Sequence, residues 1–271
     1  MLLECVSLLF RTILLRPYVF GFLALYLIIG SMQLGWPRIL VWTVSSYVLA
    51  LAAEYGSVRW GIPFGDYSYI PATQGRELWV AGVPFMDTIS FSFLSYTGFS
   101  CAWHIVAATK IGPFKADAPA DRPEYFGVRR SLTVLIVGVV TTVLMDVIVD
   151  PVALMGDRWF LGKIYCYEHH GLFFGVPVSN FLGWGVTSAA IIGLNQFLDA
   201  RLPQGGFWSP RLQMVPHLHL GGFALFFLVS TFNLAVALWL NAWKPFLVGS
   251  CLAVVFLTGG LRIVIKGRLL P

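Results

Sequence analysis

Residues 131–159 read SLTVLIVGVVTTVLMDVIVDPVALMGDRW. From Ser131 to Met145 there is no charge, and the apolar run continues between the acids to Asp150. That is about the 20 residues an α-helix needs to cross a hydrocarbon core of about 30 Å. The run ends on two aspartates spaced i, i+4 and a proline, so a membrane helix is expected to stop at Asp150 with both carboxyls on one face. A carboxyl at such a place is costly and is by default a candidate functional group.

The rest of the chain repeats the first part of this pattern. Of 271 residues, 58% are hydrophobic and 11% charged, and the mean hydropathy is +0.77, which excludes an ordinary soluble domain. Seven spans are expected, at about residues 18–35, 38–55, 84–109, 131–150, 177–198, 217–240 and 245–265. Pro37, Pro84, Pro177, Pro216 and Pro245 stand near five of the starts, where a missing N–H is harmless. The expected fold class is therefore all-α: one polytopic transmembrane helical bundle covering residues 1–271. Residues 1–16, with Glu4 and no small-residue cleavage site, read as an interfacial lead-in rather than a removable signal.

The net charge of +5 comes from Lys and Arg scattered over short loops, without the long basic run that nucleic acid would require. Their excess lies between spans 1 and 2, 3 and 4, and 5 and 6, and at the C-terminus, which is expected to face the cytoplasm from an inner or plasma membrane. Residues 110–130 supply most of that excess and read as a mobile connector. The four cysteines have neither zinc-like nor disulfide-like spacing. A retinal protein is disfavoured because Lys244 and Lys266 sit only at the ends of the last span. His169-His170 and His217-x-His219 lack the i, i+4 spacing of a common helical metal pair, so no metal is expected.

A second polar interruption, AEYGSVRWGIPFGDYSYIP at 53–71, resembles the region after Asp146. In each, a carboxylate is followed about thirty residues later by Gly-Val-Pro, at 82–84 and 175–177, and then by a polar residue, Asp87 or Asn180. This is a degenerate internal repeat with two aromatic, glycine-rich loops, re-entrant or interfacial. Eight acids, Glu54, Asp66, Glu77, Asp87, Asp146, Asp150, Asp157 and Glu168, fall on one side of the membrane, with Arg59, Arg76, Arg158 and Lys163 to balance them. Asp66, Glu77, Asp157 and Glu168 read mainly as interfacial groups or partners of those bases.

Asp146 and Asp150, adjacent and poorly hydrated at the negative end of a helix dipole, are expected to share a proton and form the acid unit. Glu54 is a similar group and the alternative acid, whereas Asp87, at a helix start, is expected to be the ionised member. Tyr67, Tyr69, Trp159 and Trp184 supply aromatic faces suited to a cation, although tyrosine and tryptophan also collect at membrane interfaces for other reasons. Asn233 reads as a structural hydrogen-bonder within span 6.

The strings EYGSVRWGIPFGDYSY (54–69), GVP (82–84), DVIVDPVALMGDRW (146–159) and FFGVPVSNFLGW (173–184) resemble a membrane-integral carotenoid biosynthesis family whose characterised members are carotenoid 1,2-hydratases of the CruF type. The resemblance covers the core motifs, residues 54–184, and singles out Glu54, Gly65, Tyr67, Tyr69, Asp146, Asp150, Pro151, Asn180, Gly183 and Trp184. It departs at Asp87, where the family usually carries an apolar residue, and at Phe160, often a tryptophan. The resemblance implies hydration of the terminal C1=C2 bond of an acyclic carotenoid end group, with Asn180 positioning water and no cofactor. The implied partners are the carotenoid, membrane lipid and other carotenoid biosynthesis enzymes. The competing readings are a carotenoid end-group cyclase, a non-enzymatic lipid or pigment transporter or binding protein, and a prenyltransferase, the last suggested by Asp-x-x-x-Asp.

Overall fold

The computed structural model describes residues 2–113, 127–202 and 217–267. Among them, eight α-helices carry the fold: α1 (Leu2–Leu15), α2 (Pro17–Leu34), α3 (Trp36–Trp60), α4 (Phe85–Lys110), α5 (Leu132–Ala153), α6 (Val178–Asp199), α7 (Gly221–Trp239) and α8 (Trp243–Lys266). Six of them, all but α1 and α4, are long and apolar enough to cross a membrane, α7 together with the 3-10 turn before it. The protein is an all-α polytopic membrane bundle.

The exception among the long helices explains the architecture. The 26-residue α4 matches the expected third span in length, but Ser90, Ser92, Ser95, Thr97 and Ser100 lower its hydropathy. It packs against α2, α3, α5, α6, α7 and α8 and is almost wholly buried, so it meets protein rather than lipid. Several of its hydroxyls are satisfied locally, Ser92 donating to the Ile89 carbonyl, Ser95 to Phe91 and Thr97 to Phe93, whereas Ser100 donates to Gln33 Oε1 on α2 at 2.8 Å. At the crossing with α5, an added Cβ on Gly98 would lie 2.5 Å from the Gly138 carbonyl oxygen. Small residues there let the two backbones approach closely.

Two boundaries differ from the sequence expectation. Helix α3 runs to Trp60 rather than residue 55 and is capped by Gly61 in the left-handed conformation, so Glu54 lies well inside it. Helix α5 passes through Pro151 to Ala153 instead of stopping at Asp150. A proline in the last turn forfeits one hydrogen bond, and the helix still closes with the Leu154 N–H on the Asp150 carbonyl, at 2.9 Å. Most of the connector between spans 3 and 4, and Pro216, lie outside the described residues.

The two polar loops meet each other. Strand β1 (Tyr67–Tyr69) pairs antiparallel with β4 (Tyr165–Tyr167) in the register Tyr67↔Tyr167, Ser68↔Cys166, Tyr69↔Tyr165. That register is symmetric about Ser68 and Cys166, so a local two-fold relates the loops. A hairpin of β2 (Trp79–Val80) and β3 (Val83–Pro84) then feeds α4, turning through Ala81 and Gly82, both at positive φ.

At the opposite end of the bundle, Arg38, Arg129 and Arg130 converge on Asp199, tying the start of α3 and the approach to α5 to the end of α6. On the loop side, Arg16, buried between α1 and α2, grips Glu77 through two bonds of 2.9 and 3.0 Å and also donates to the Leu161 carbonyl. Glu77 is thus paired with a base from the N-terminal lead-in rather than with Arg59, Arg76, Arg158 or Lys163. This fork–fork contact fixes both loops against α2.

Candidate active site

The long-range pairing of β1 with β4 brings four tyrosine hydroxyls over the acids. Glu54, 5% exposed, accepts from Tyr67 and, at 2.8 Å, from Tyr69. Tyr69 also contacts Asp87 Oδ2. Across the local two-fold, Asp150, 7% exposed, accepts from Tyr165 and, at 2.9 Å, from Tyr167. Asn180 donates from Nδ2 to Asp146 at 2.9 Å and to Asp150 at 3.2 Å. The sequence repeat aligned Glu54 with Asp146, but by its tyrosine partners Asp150 occupies the corresponding place.

These groups surround a small cavity lined by Glu54, Asp87, Asp150, Asn180 and the four tyrosines, with Phe64 and Trp184 also on its wall. Trp184 is held flat against Phe91, with ring centres 4.1 Å apart, and meets Phe64 at 64° with centres 6.2 Å apart. Gly183 makes room for that wall: an added Cβ would stand 2.7 Å from the Phe64 Cα.

Of the residues expected at the site, Glu54, Asp87, Asp150, Asn180, Tyr67, Tyr69 and Trp184 line one chamber. Asp146 stands behind Asn180, outside the lining. Trp159 lies in a neighbouring apolar cavity, its indole N–H donating to the Val152 carbonyl at 3.2 Å. Tyr165 and Tyr167 were not singled out in the sequence as site residues. Their signal was available, because Tyr-x-Tyr occurs once in each loop.

Burial, followed by the neighbouring carboxylates, pushes the Tyr69, Tyr165 and Tyr167 phenols well above their usual range. They therefore act as neutral donors. The Tyr69 hydroxyl has one proton but two carboxyl contacts, Glu54 and Asp87. Satisfying both requires a second proton, carried by one of the two acids and donated to the phenol oxygen. Asp150, in contrast, accepts two phenolic donors and one amide donor. The chamber therefore has a proton-sharing side and a donor-rich side. Among the described residues, no group of three or more His, Cys, Asp or Glu side chains is arranged to hold a metal.

Helices that cross a membrane, enclosing a carboxyl and phenol chamber beside an apolar cavity, define a polytopic membrane protein with a buried acid site. The chain belongs to the carotenoid biosynthesis protein family, whose family model matches residues 6–256. Its role is accordingly in carotenoid biosynthesis. No curated protein and no solved structure shows a significant match.

Proposed function

We propose that the protein is a carotenoid 1,2-hydratase, adding water across the terminal C1=C2 bond of an acyclic carotenoid end group. The observation that carries this reading is the chamber itself, in which a proton-sharing acid pair faces a donor-rich carboxylate across a space walled by aromatic rings. Alkene hydration needs those parts and, being redox-neutral, consumes no reductant or oxidant.

In the first step the Glu54–Tyr69–Asp87 unit gives up its shared proton: a carboxyl O–H bond breaks and a C–H bond forms at C2. The positive charge then lies on the tertiary C1, where the faces of Trp184 and Phe64 and the Asp150 carboxylate stabilise it. Water bonds to C1 through oxygen and loses a proton to Asp150, leaving a tertiary alcohol. Proton exchange with water at the membrane edge resets the acids. Asn180, with its amide hydrogens directed to Asp146 and Asp150, holds the aspartates in place, and any part it plays for water is secondary. The hydrogen-bond pattern thus favours Glu54 and Asp87 as the proton source over the Asp146–Asp150 pair expected from sequence.

By the Lys and Arg distribution, the C-terminus faces the cytoplasm and the chamber opens to the opposite side. The reading is tested by expressing the chain in a host that accumulates lycopene and weighing the pigments. A gain of one or two waters supports hydration. An unchanged mass at a new retention time would mean cyclisation, and an unaltered pigment would leave a binding or transport role for that substrate.

A further inference from the structure

A second cavity adjoins the acid chamber, and the two share Asp87 and Tyr165. It lies between α2, α4, α5 and α7 and is the roomier of the two. Away from Asp87 most of its lining is apolar, with Phe93 and Leu94 on α4 and Val229 on α7, and Ser90 and Asn233 interrupt it. The α4 residues on it run from Met86 to Leu94, so it extends about 12 Å along that helix at 1.5 Å per residue, away from the loops and toward the middle of the bundle.

Its outer side, between α2 and α7, is formed by rings rather than backbone. Tyr18 stacks on Phe232 with centroids 5.0 Å apart, Phe22 meets Phe232 edge-on at 5.8 Å, and all three rings are half-buried. Side chains in such a position can swing aside without breaking a helix.

We propose that this cavity is the berth of the carotenoid chain, with the end group held at Asp87 and Tyr165 and the polyene passing between α2 and α7 into lipid. The proposal rests on the carotenoid reading of the acid chamber, but not on hydration as its chemistry. Three observations favour an isoprenoid chain as the occupant. Most of the slot's lining is apolar, it meets the acid chamber at Asp87 and Tyr165, and its outer side lies between two membrane-length helices, where rings rather than backbone cover it. A polar substrate would gain nothing from such a lining, and a bulk-water channel would not be walled by phenylalanine and leucine. An extended carotenoid is about as long as the hydrocarbon core is thick, so one end group at the acids leaves the remainder in the bilayer.

The test uses the purified full-length chain in detergent, lycopene as the probe, and the pigment retained after capture of the protein. The wild type is expected to retain pigment. Val229→Trp, filling the slot at a buried position, is expected to weaken retention at least tenfold. Ser90→Leu, at a half-buried position on the same lining, adds less bulk and carries the test if Val229→Trp does not fold, as judged by thermal unfolding; a several-fold weakening is expected. Leu247→Trp, which adds similar bulk at an exposed position on α8 away from the slot, is expected to keep its pigment. If folded slot-filling variants bind lycopene as the wild type does, or if the wild type retains none, the berth is refuted. If the slot-filling variants lose pigment but the wild type never changes its mass, the berth stands and hydration falls.

Discussion

In the proposed mechanism the chemistry turns on the Glu54 carboxyl, because Tyr69 spans the gap between it and Asp87 with a single proton of its own. Glu54→Gln is expected to lower hydration by roughly 10²- to 10⁴-fold, the usual worth of a general acid, with pigment binding retained. Asp146→Asn, behind Asn180, is expected to cost less. Product formation by the two variants gives the order, and the reverse order would return the proton source to the aspartate pair. The tyrosines lead to a pH expectation. Because Tyr69, Tyr165 and Tyr167 are pushed upward on folding, they contribute stability in full below the unfolded phenol value, about 10, and that contribution falls as pH rises above it. In an alkaline titration, the phenolate absorbance of these three should rise together with unfolding and not before it. Tyr→Phe variants assign the signal.

At the scale of elements, the spans were legible because each apolar run is nearly as long as the membrane is thick, and the acids were legible because a carboxyl in such a run demands an explanation. Helix ends were less so. Nothing in the local pattern of Tyr55–Trp60 distinguishes the end of α3 from a loop, and Pro151 looks like a stop although the last turn of α5 tolerates it. The β1–β4 pairing was hidden for another reason: three residues on each side, about a hundred apart in the chain, leave no local periodicity. The Arg16–Glu77 pair was missed because its base comes from the segment read as a lead-in. The repeat pointed to the correct loops, yet placed Asp146 opposite Glu54, since spacing to Gly-Val-Pro is a weaker guide than the tyrosine contacts. The α4–α5 crossing supports a direct prediction. Gly98→Val adds bulk against the Gly138 carbonyl and Thr142 and should destabilise the bundle by about 1–3 kcal/mol, read as a lower thermal midpoint in detergent.

Across the whole molecule, a ring of lipid-facing helices surrounds the polar, hydroxyl-rich α4, and both loops fold over the end where α4 begins. The charged ties lie at the two ends: Arg16 with Glu77 on the loop side, and three arginines on Asp199 at the other. Between them the acid chamber is roofed by the paired strands and flanked by the apolar cavity. Ser68 Oγ stands 3.5 Å from Cys166 Sγ at the centre of that roof. Ser68→Cys is therefore expected to form a disulfide with Cys166 under mild oxidation, detectable by mass of the joined peptides. On the proposed route from lipid, the bridged protein should keep its activity; loss on oxidation and recovery on reduction would mean that the roof must open.

The central claim is that a carboxyl proton goes to C2 and a water oxygen to C1. It is tested most directly by incubating the purified protein and an acyclic carotenoid in deuterated, heavy-oxygen water and locating the labels in the product. The account predicts one heavy oxygen in a tertiary alcohol at C1 and one deuterium at C2 for each end that reacts. A product carrying deuterium without heavy oxygen would show that an internal alkene, and not water, captures the cation, and a pigment carrying neither label would contradict acid chemistry at this site.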